Sequence, residues 1–163
     1  MNSFFSLRQA ALVAAVLALV EASAAMAGHS VPLKGTGTGQ VIRQVDPTLQ
    51  IPVGELEYVV EGNMTLLGAV TAQGISFFTP DLSRLPSSFY VAVAPDGSTI
   101  TGHYFGTVVQ IPGTSYFAFA DQVVWGEGTG RLAGVTGQST LTGVLDGLTG
   151  AFVWEHSGVW NFP

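Results

Sequence analysis

The feature that most constrains this chain is an alternation with a period of two. In TITGHYFGTVV, Ile100, Gly102, Tyr104, Gly106 and Val108 fall on one face, and Thr99, Thr101, His103, Phe105 and Thr107 on the other. Successive side chains of a β-strand point to opposite faces, so this run reads as a strand with one buried side. LKGTGTGQV repeats the pattern, with Leu33, Gly35, Gly37, Gly39 and Val41 on one face and Lys34, Thr36, Thr38 and Gln40 on the other. Large and small residues alternating on a buried face suit the tapering interior of a small closed barrel. The glycines are expected to permit tight bending where the barrel closes. A membrane barrel reverses the pattern, with apolar residues facing lipid and polar ones facing the lumen. A β-sandwich is the nearer structural rival.

After Ser30 no helical periodicity extends beyond a turn or two, and short runs rich in Val, Thr, Phe and Tyr alternate with Gly, Pro and Asp. The expected fold is all-β, an eight-stranded antiparallel closed barrel in a single domain, residues 28–163. The expected strands are Leu33–Arg43, Glu55–Ala72 with a bend at Gly62, Gly74–Thr79, Phe89–Ala94, Ser98–Val109, Ser115–Trp125, Gln138–Leu145 and Phe152–Asn161. APDGS, QIPGTS and DGLTG read as hairpin loops, because proline presets one turn residue and glycine accepts a positive φ. Asp46–Gly54 and Pro80–Ser88 read as longer loops, the second with room for a helical turn.

The first 27 residues have the form of a signal peptide: Arg8, then the apolar AALVAAVLALV, then Ala25-Met26-Ala27 as a cleavage site. The apolar run is too short to span a bilayer. The mature chain is expected to start at Gly28 and to be secreted or periplasmic. Despite this, the chain has no cysteine, which excludes disulfides, Cys-based zinc sites and a thiol nucleophile. Beyond the leader the basic residues are Lys34, Arg43, Arg84 and Arg131, against ten acids. That balance argues against nucleic acid and anionic membrane surfaces as partners, and no membrane insertion is expected after cleavage.

The glycine-dense run GEGTGRLAGVTGQSTLTG, Gly126 to Gly143, is no phosphate cradle. Gly128 and Gly130 are followed by Ala133, so no G-x-G-x-x-G is complete, and no G-K-[ST] follows. It reads as strand, turn and strand, with a short helical turn at Arg131–Gly134.

VPLKGTGTGQV, EGNMTLLGAVTAQG, DGSTITGHYFGTVV and GTGRLAGVTGQSTLTGVLDGLTGAF resemble the phrases of a group of small exported bacterial proteins. These look like relatives of the allene oxide cyclase and dirigent barrels. The resemblance covers nearly the whole mature chain and implies an eight-stranded antiparallel barrel of the calycin type. It implies no activity. The cyclases handle an epoxide by acid–base chemistry in an apolar barrel, and their residues have no one-to-one match here.

Strand phase nominates interior residues. Phe152, Trp154, His156, Gly158 and Trp160 share one face, as do Phe117, Phe119, Asp121, Val123 and Trp125. Hairpin registers taken from loop lengths place Tyr104 opposite Asp121, Asp121 near Leu141, and Leu141 near His156. Tyr104, Asp121 and His156 are therefore expected at similar heights, with Tyr104 donating to Asp121. An Asp121–His156 contact would hold the carboxylate ionised and raise the histidine pKa; burial alone would do the reverse to both. Such a cluster would be the catalytic candidate, with Tyr104, Asp121, Trp154, His156 and Trp160 lining a ligand site. His29, His103 and His156 share no face, so neither a metal nor another cofactor is expected.

Three functions follow from this interior. The first is a binding module for a small apolar ligand. The second is an isomerase of the cyclase or dirigent kind, with Asp121 and His156 as acid and base. The third is a structural or surface protein whose barrel is packed solid. An open pocket of several hundred Å3 would support the first two; side chains filling the lumen would support the third.

Overall fold

The structure, a computed structural model, describes residues 28–45 and 54–163. The expected signal peptide and the loop 46–53 lie outside the described residues. Eight strands follow one another: β1 (Ser30–Val45), β2 (Gly54–Met64), β3 (Gly68–Phe78), β4 (Ser83–Val93), β5 (Thr99–Gln110), β6 (Tyr116–Gly126), β7 (Thr136–Asp146) and β8 (Ala151–Asn161). Each pairs antiparallel with its neighbours in sequence, and β1 pairs with β8, so the sheet closes into a barrel with no free edge. One 3₁₀ turn, Gly130–Leu132, lies in the glycine-rich run, where a helical turn is expected.

The alternation sets the faces as expected. Ile100, Gly102 and Tyr104 are buried, while His103, Phe105 and Thr107 are exposed. The glycines of β1 make room for neighbouring side chains. Trp154 lies over the inner face of Gly37, where an added Cβ would meet its indole ring at 2.5 Å. A side chain there would expel the indole from the barrel wall.

Two strand assignments are corrected. The expected single strand Glu55–Ala72 is a hairpin, β2 and β3, turning at Thr65–Leu67. Leu66 takes φ 71° and Gly68 φ 74°, so a leucine occupies a left-handed position that usually signals itself by glycine. The expected loop Pro80–Ser88 is strand from Ser83 onward, and its register to β5 shifts between Arg84 and Ser88. Pro86 lies within that interval; it lacks the N–H a ladder needs, and such an irregularity bends a strand and re-aims its side chains.

The ladder climbs as it goes round. From Gly54 the paired residues run Phe78, Arg84, Gly106, Asp121, Leu141, His156 and Gly35, and return to β2 at Met64, its other end. This stagger tilts the strands against the barrel axis. Where β1 begins, Leu33, Ile100, Trp125 and Trp160 fill the lumen, and the loops lay Leu67, Leu132 and Val135 over them, all at most 3% exposed. Arg131 braces this plug. It donates to Asp96 (2.6 Å) and to the carbonyls of Leu66 (2.5 Å) and Leu67 (3.3 Å).

Candidate functional site

Toward the other end the barrel holds a cavity of about 60 Å3, counted as space for the centres of water-sized spheres. Tyr58, Tyr90, Tyr104, Phe119, Trp154 and His156 are among its walls. At its rim Val41, Leu56, Leu145 and Phe152 are only part-buried.

Three polar groups interrupt this apolar wall. In the first, Tyr58 donates to the Tyr104 hydroxyl (2.9 Å), which also shares a hydrogen bond with Ser76 Oγ (2.6 Å) and lies 3.3 Å from the Ile75 carbonyl. Tyr104 can accept from both hydroxyls and donate to the carbonyl, so the group is self-satisfied. Burial pushes Tyr58 well above the ordinary tyrosine range and Tyr104 above it as well. Both are held neutral.

The second group is a chain. Trp125 Nε1 donates to Ser139 Oγ (2.9 Å), Ser139 Oγ lies 3.0 Å from His156 Nδ1, and His156 Nε2 lies 3.0 Å from the Tyr90 hydroxyl. Where Ser139 donates to Nδ1, the imidazole donates from Nε2 to Tyr90, whose own hydrogen is then left without an acceptor among the described residues. Burial lowers the His156 pKa to about 3, so the ring is neutral.

The third group is an ion pair. Arg84 Nη1 donates to Asp121 Oδ2. The pair is possible because Gly106 stands between them in the ladder and carries no side chain; an added Cβ would meet Asp121 Oδ1 at 2.5 Å. Asp121 Oδ1 is buried with no hydrogen-bond partner among the described residues. Burial raises the Asp121 pKa and the charge of Arg84 opposes that rise. The guanidinium carbon lies 5.6 Å from the centre of the Tyr104 ring and 5.0 Å from that of Phe119.

This arrangement corrects the expected cluster. Tyr104 pairs with Val123, and Asp121 with Gly106, two residues away from the expected register. The cause is the loop after β5: Thr114 N bonds to the Ile111 carbonyl around Pro112-Gly113, and the ladder closes at Ile111–Tyr116, so that Thr114 and Ser115 are two extra loop residues. A shift of two preserves the inward face, so Asp121 is still buried, 1% exposed. Asp121 does pair with Leu141, and Leu141 with His156. Strand tilt and the intervening Leu141 nevertheless keep the carboxylate from the imidazole, and Asp121 bonds to Arg84 rather than to Tyr104 or His156. The histidine pKa consequently falls, and that of the aspartate rises, as burial alone dictates.

Of the five expected ligand-site residues, Tyr104, Trp154 and His156 line the cavity. Asp121 stands behind Arg84, and Trp160 belongs to the plug, its ring 5.0 Å from that of Trp125 and tilted 57° to it. Sequence reasoning missed Arg84, Tyr58, Tyr90, Ser76 and Ser139. A usable signal existed for Tyr90, since in SSFYVA it shares a face with Ser88 and Ala92. Among the described residues no three metal-ligating side chains converge. Compared with known proteins, the chain matches no family model, no curated protein and no solved structure.

Proposed function

We propose that this is an exported binding module that holds a small apolar ligand inside the barrel, entered from the end opposite the plug. The observation that carries this reading is the contrast within one lumen: one half holds almost fully buried indoles and loop side chains, while the other keeps an aromatic-walled cavity whose rim is part-buried. At about 60 Å3 the cavity is smaller than the several hundred Å3 of a drug-sized site. It is also smaller than the roughly 150 Å3 apolar cavity that takes benzene. It therefore takes a ligand the size of an octyl chain only as the part-buried side chains at its rim move outward.

The isomerase reading loses its geometric basis, because Asp121 and His156 share no hydrogen bond and His156 is neutral far below physiological pH. The solid-barrel reading is opposed by the cavity itself. Export rests on the form of the first 27 residues and is checked by the intact mass of the released protein, which should begin at Gly28.

Ala72, on the cavity wall, provides the test of binding. Titration with 1-octanol should shift the ring resonances of Tyr58, Tyr104 and Trp154, and Ala72→Leu, which fills the space, should fold and lose those shifts. Equal shifts in both proteins, or none in either, would end the proposal. Native mass spectrometry of the purified protein should find a co-purified small molecule.

A further inference from the structure

Within that reading, we infer that Arg84 is a head-group site at the rim, and that the ligand is a small monocarboxylate with a single apolar tail. A guanidinium offers five N–H donors in a planar fork that matches the two oxygens of a carboxylate. Here, among the described residues, only Asp121 accepts from it, through one oxygen. Asp121 turns its other oxygen away against Gly106, where it has no partner. The pair is therefore half-made, and Arg84 keeps unspent donors while its side chain, 11% exposed, forms part of the cavity wall. Tyr104 and Phe119 hold its plane.

Unspent guanidinium donors beside a cavity attract an anion, and a second carboxylate is the planar acceptor that fits a guanidinium edge. Of the other polar groups in the wall, Tyr58, Ser76 and Tyr104 bond one another and His156 bonds Ser139 and Tyr90, which leaves the neutral Tyr90 hydroxyl as one further donor and Arg84 as the charged one. The apolar remainder takes a tail. The net charge of −6 disfavours a polyanion.

Two carboxylates sharing this buried site repel one another, and burial already raises the Asp121 pKa, which together favour a proton on one of them. The charge balance is closed by a proton from solvent that goes to Asp121, whose bare oxygen is free to carry it. The ligand enters as an anion and the site's net charge is unchanged. Other titratable groups near Asp121 cannot take that proton. Burial holds Tyr90 (β4), Tyr104 (β5) and Tyr58 (β2) protonated and disfavours a charge on His156 (β8). The residue facing Asp121 from β7 is Leu141, and those of the inner face nearest on β1 and β3 are Gly35 and Ser76.

The test is calorimetric titration of the purified protein with octanoate and with 1-octanol, from pH 6 to pH 8.5, in two buffers of different ionisation enthalpy. Octanoate should bind about tenfold or more tighter than 1-octanol, the ratio expected for charge-assisted hydrogen bonds. It should do so with uptake of about one proton above the Asp121 pKa, and with affinity falling as pH rises. Asp121→Asn should keep octanoate binding and lose both the proton uptake and the pH dependence. Arg84→Met should abolish the octanoate preference. Arg84→Lys, which keeps the charge and loses the fork, should weaken that preference and serves if the methionine variant does not fold. Equal affinity for the two probes, or octanoate binding without proton uptake, overturns the inference. Binding of 1-octanol alone overturns the anion site and leaves the apolar-ligand reading standing; binding of neither removes both.

Discussion

At the plugged end of the barrel Leu33, Ile100, Trp125 and Trp160 are at most 1% exposed and loop side chains cover them. At the rim end Val41, Leu56, Leu145 and Phe152 are part-buried, and the ion pair Arg84–Asp121 stands inside the wall. Both halves are made by the same eight strands with the same alternation, so secondary structure does not explain the difference. What differs is the choice of inward residue. Indoles and loop leucines fill one half, whereas tyrosines bonded to one another, and a glycine spanned by an ion pair, keep space in the other. An eight-stranded lumen can just be filled by side chains. Here stability is concentrated in one half and ligand capacity in the other.

The largest effect should come from cutting into the plug. Trp125→Ala removes a fully buried indole that also donates to Ser139, and should cost about 4 kcal/mol. Leu145→Ala at the rim, part-buried beside existing space, should cost about 1 kcal/mol. Urea unfolding measures both. Similar losses would mean that the two halves contribute alike and the comparison is void.

Next is the ion pair. Arg84→Met leaves Asp121 buried beside no cation and should cost about 3 kcal/mol at pH 8. The sign of the pH dependence follows from the raised Asp121 pKa. An acid whose folded pKa lies above its unfolded value retains its full stability contribution below the ordinary carboxylate range and loses it as pH rises through the folded value. Removing Arg84 raises that value further, so the deficit should shrink toward pH 4 and widen toward pH 8. A deficit independent of pH would show that packing, not charge, is what Arg84 supplies.

These rim residues are also where the sequence was least legible. The phase of nearly every strand could be read, because the inner face of a closed barrel leaves a period of two that a residue such as Gly102 or Tyr104 cannot break. The closure of the barrel followed from the same pattern. Heights within the lumen could not be read, because they depend on loop register, and two added loop residues, Thr114 and Ser115, moved Asp121 from Tyr104 to Gly106. Arg84 was hidden by its neighbours: Pro86-Ser87-Ser88 has loop composition, and only tertiary pairing draws it into β4. The turn between β2 and β3 was hidden by Leu66, whose left-handed backbone has no composition to announce it.

His156 joins the two halves, bonded to the plug through Ser139 and Trp125 and to the cavity through Tyr90. Its pKa, lowered to about 3, makes it a destabilising element in acid. A base whose folded value is depressed contributes its stability above the unfolded value of about 6.5 and loses it as pH falls toward the folded one, about 2 kcal/mol by pH 5. His156→Phe removes that slope but strands Tyr90 and Ser139. It should therefore be less stable than the parent at pH 8 and approach it as pH falls to 5. Urea midpoints that stay parallel across that range would mean the imidazole is not buried as described.

The smallest effect separates the ends at their loops. Gly97 (φ 82°) turns the hairpin at the plugged end, where Arg131 holds Asp96; Gly113 (φ 76°) turns one at the rim. Neither has an atom within 4 Å of an added Cβ, so alanine at either place tests backbone strain alone. Gly97→Ala should cost about 1 kcal/mol, because its turn is tied by Arg131 to the plug and opens only with the whole barrel. Gly113→Ala should cost about half as much, since a rim hairpin can relieve strain by opening locally. Hydrogen exchange of the Gly97 and Thr114 amides, which bond to the carbonyls of Ala94 and Ile111, distinguishes global from local opening. Equal protection of the two would place the rim hairpin in the same cooperative unit as the plug, and the division between a stability half and a ligand half would then be one of packing and not of dynamics.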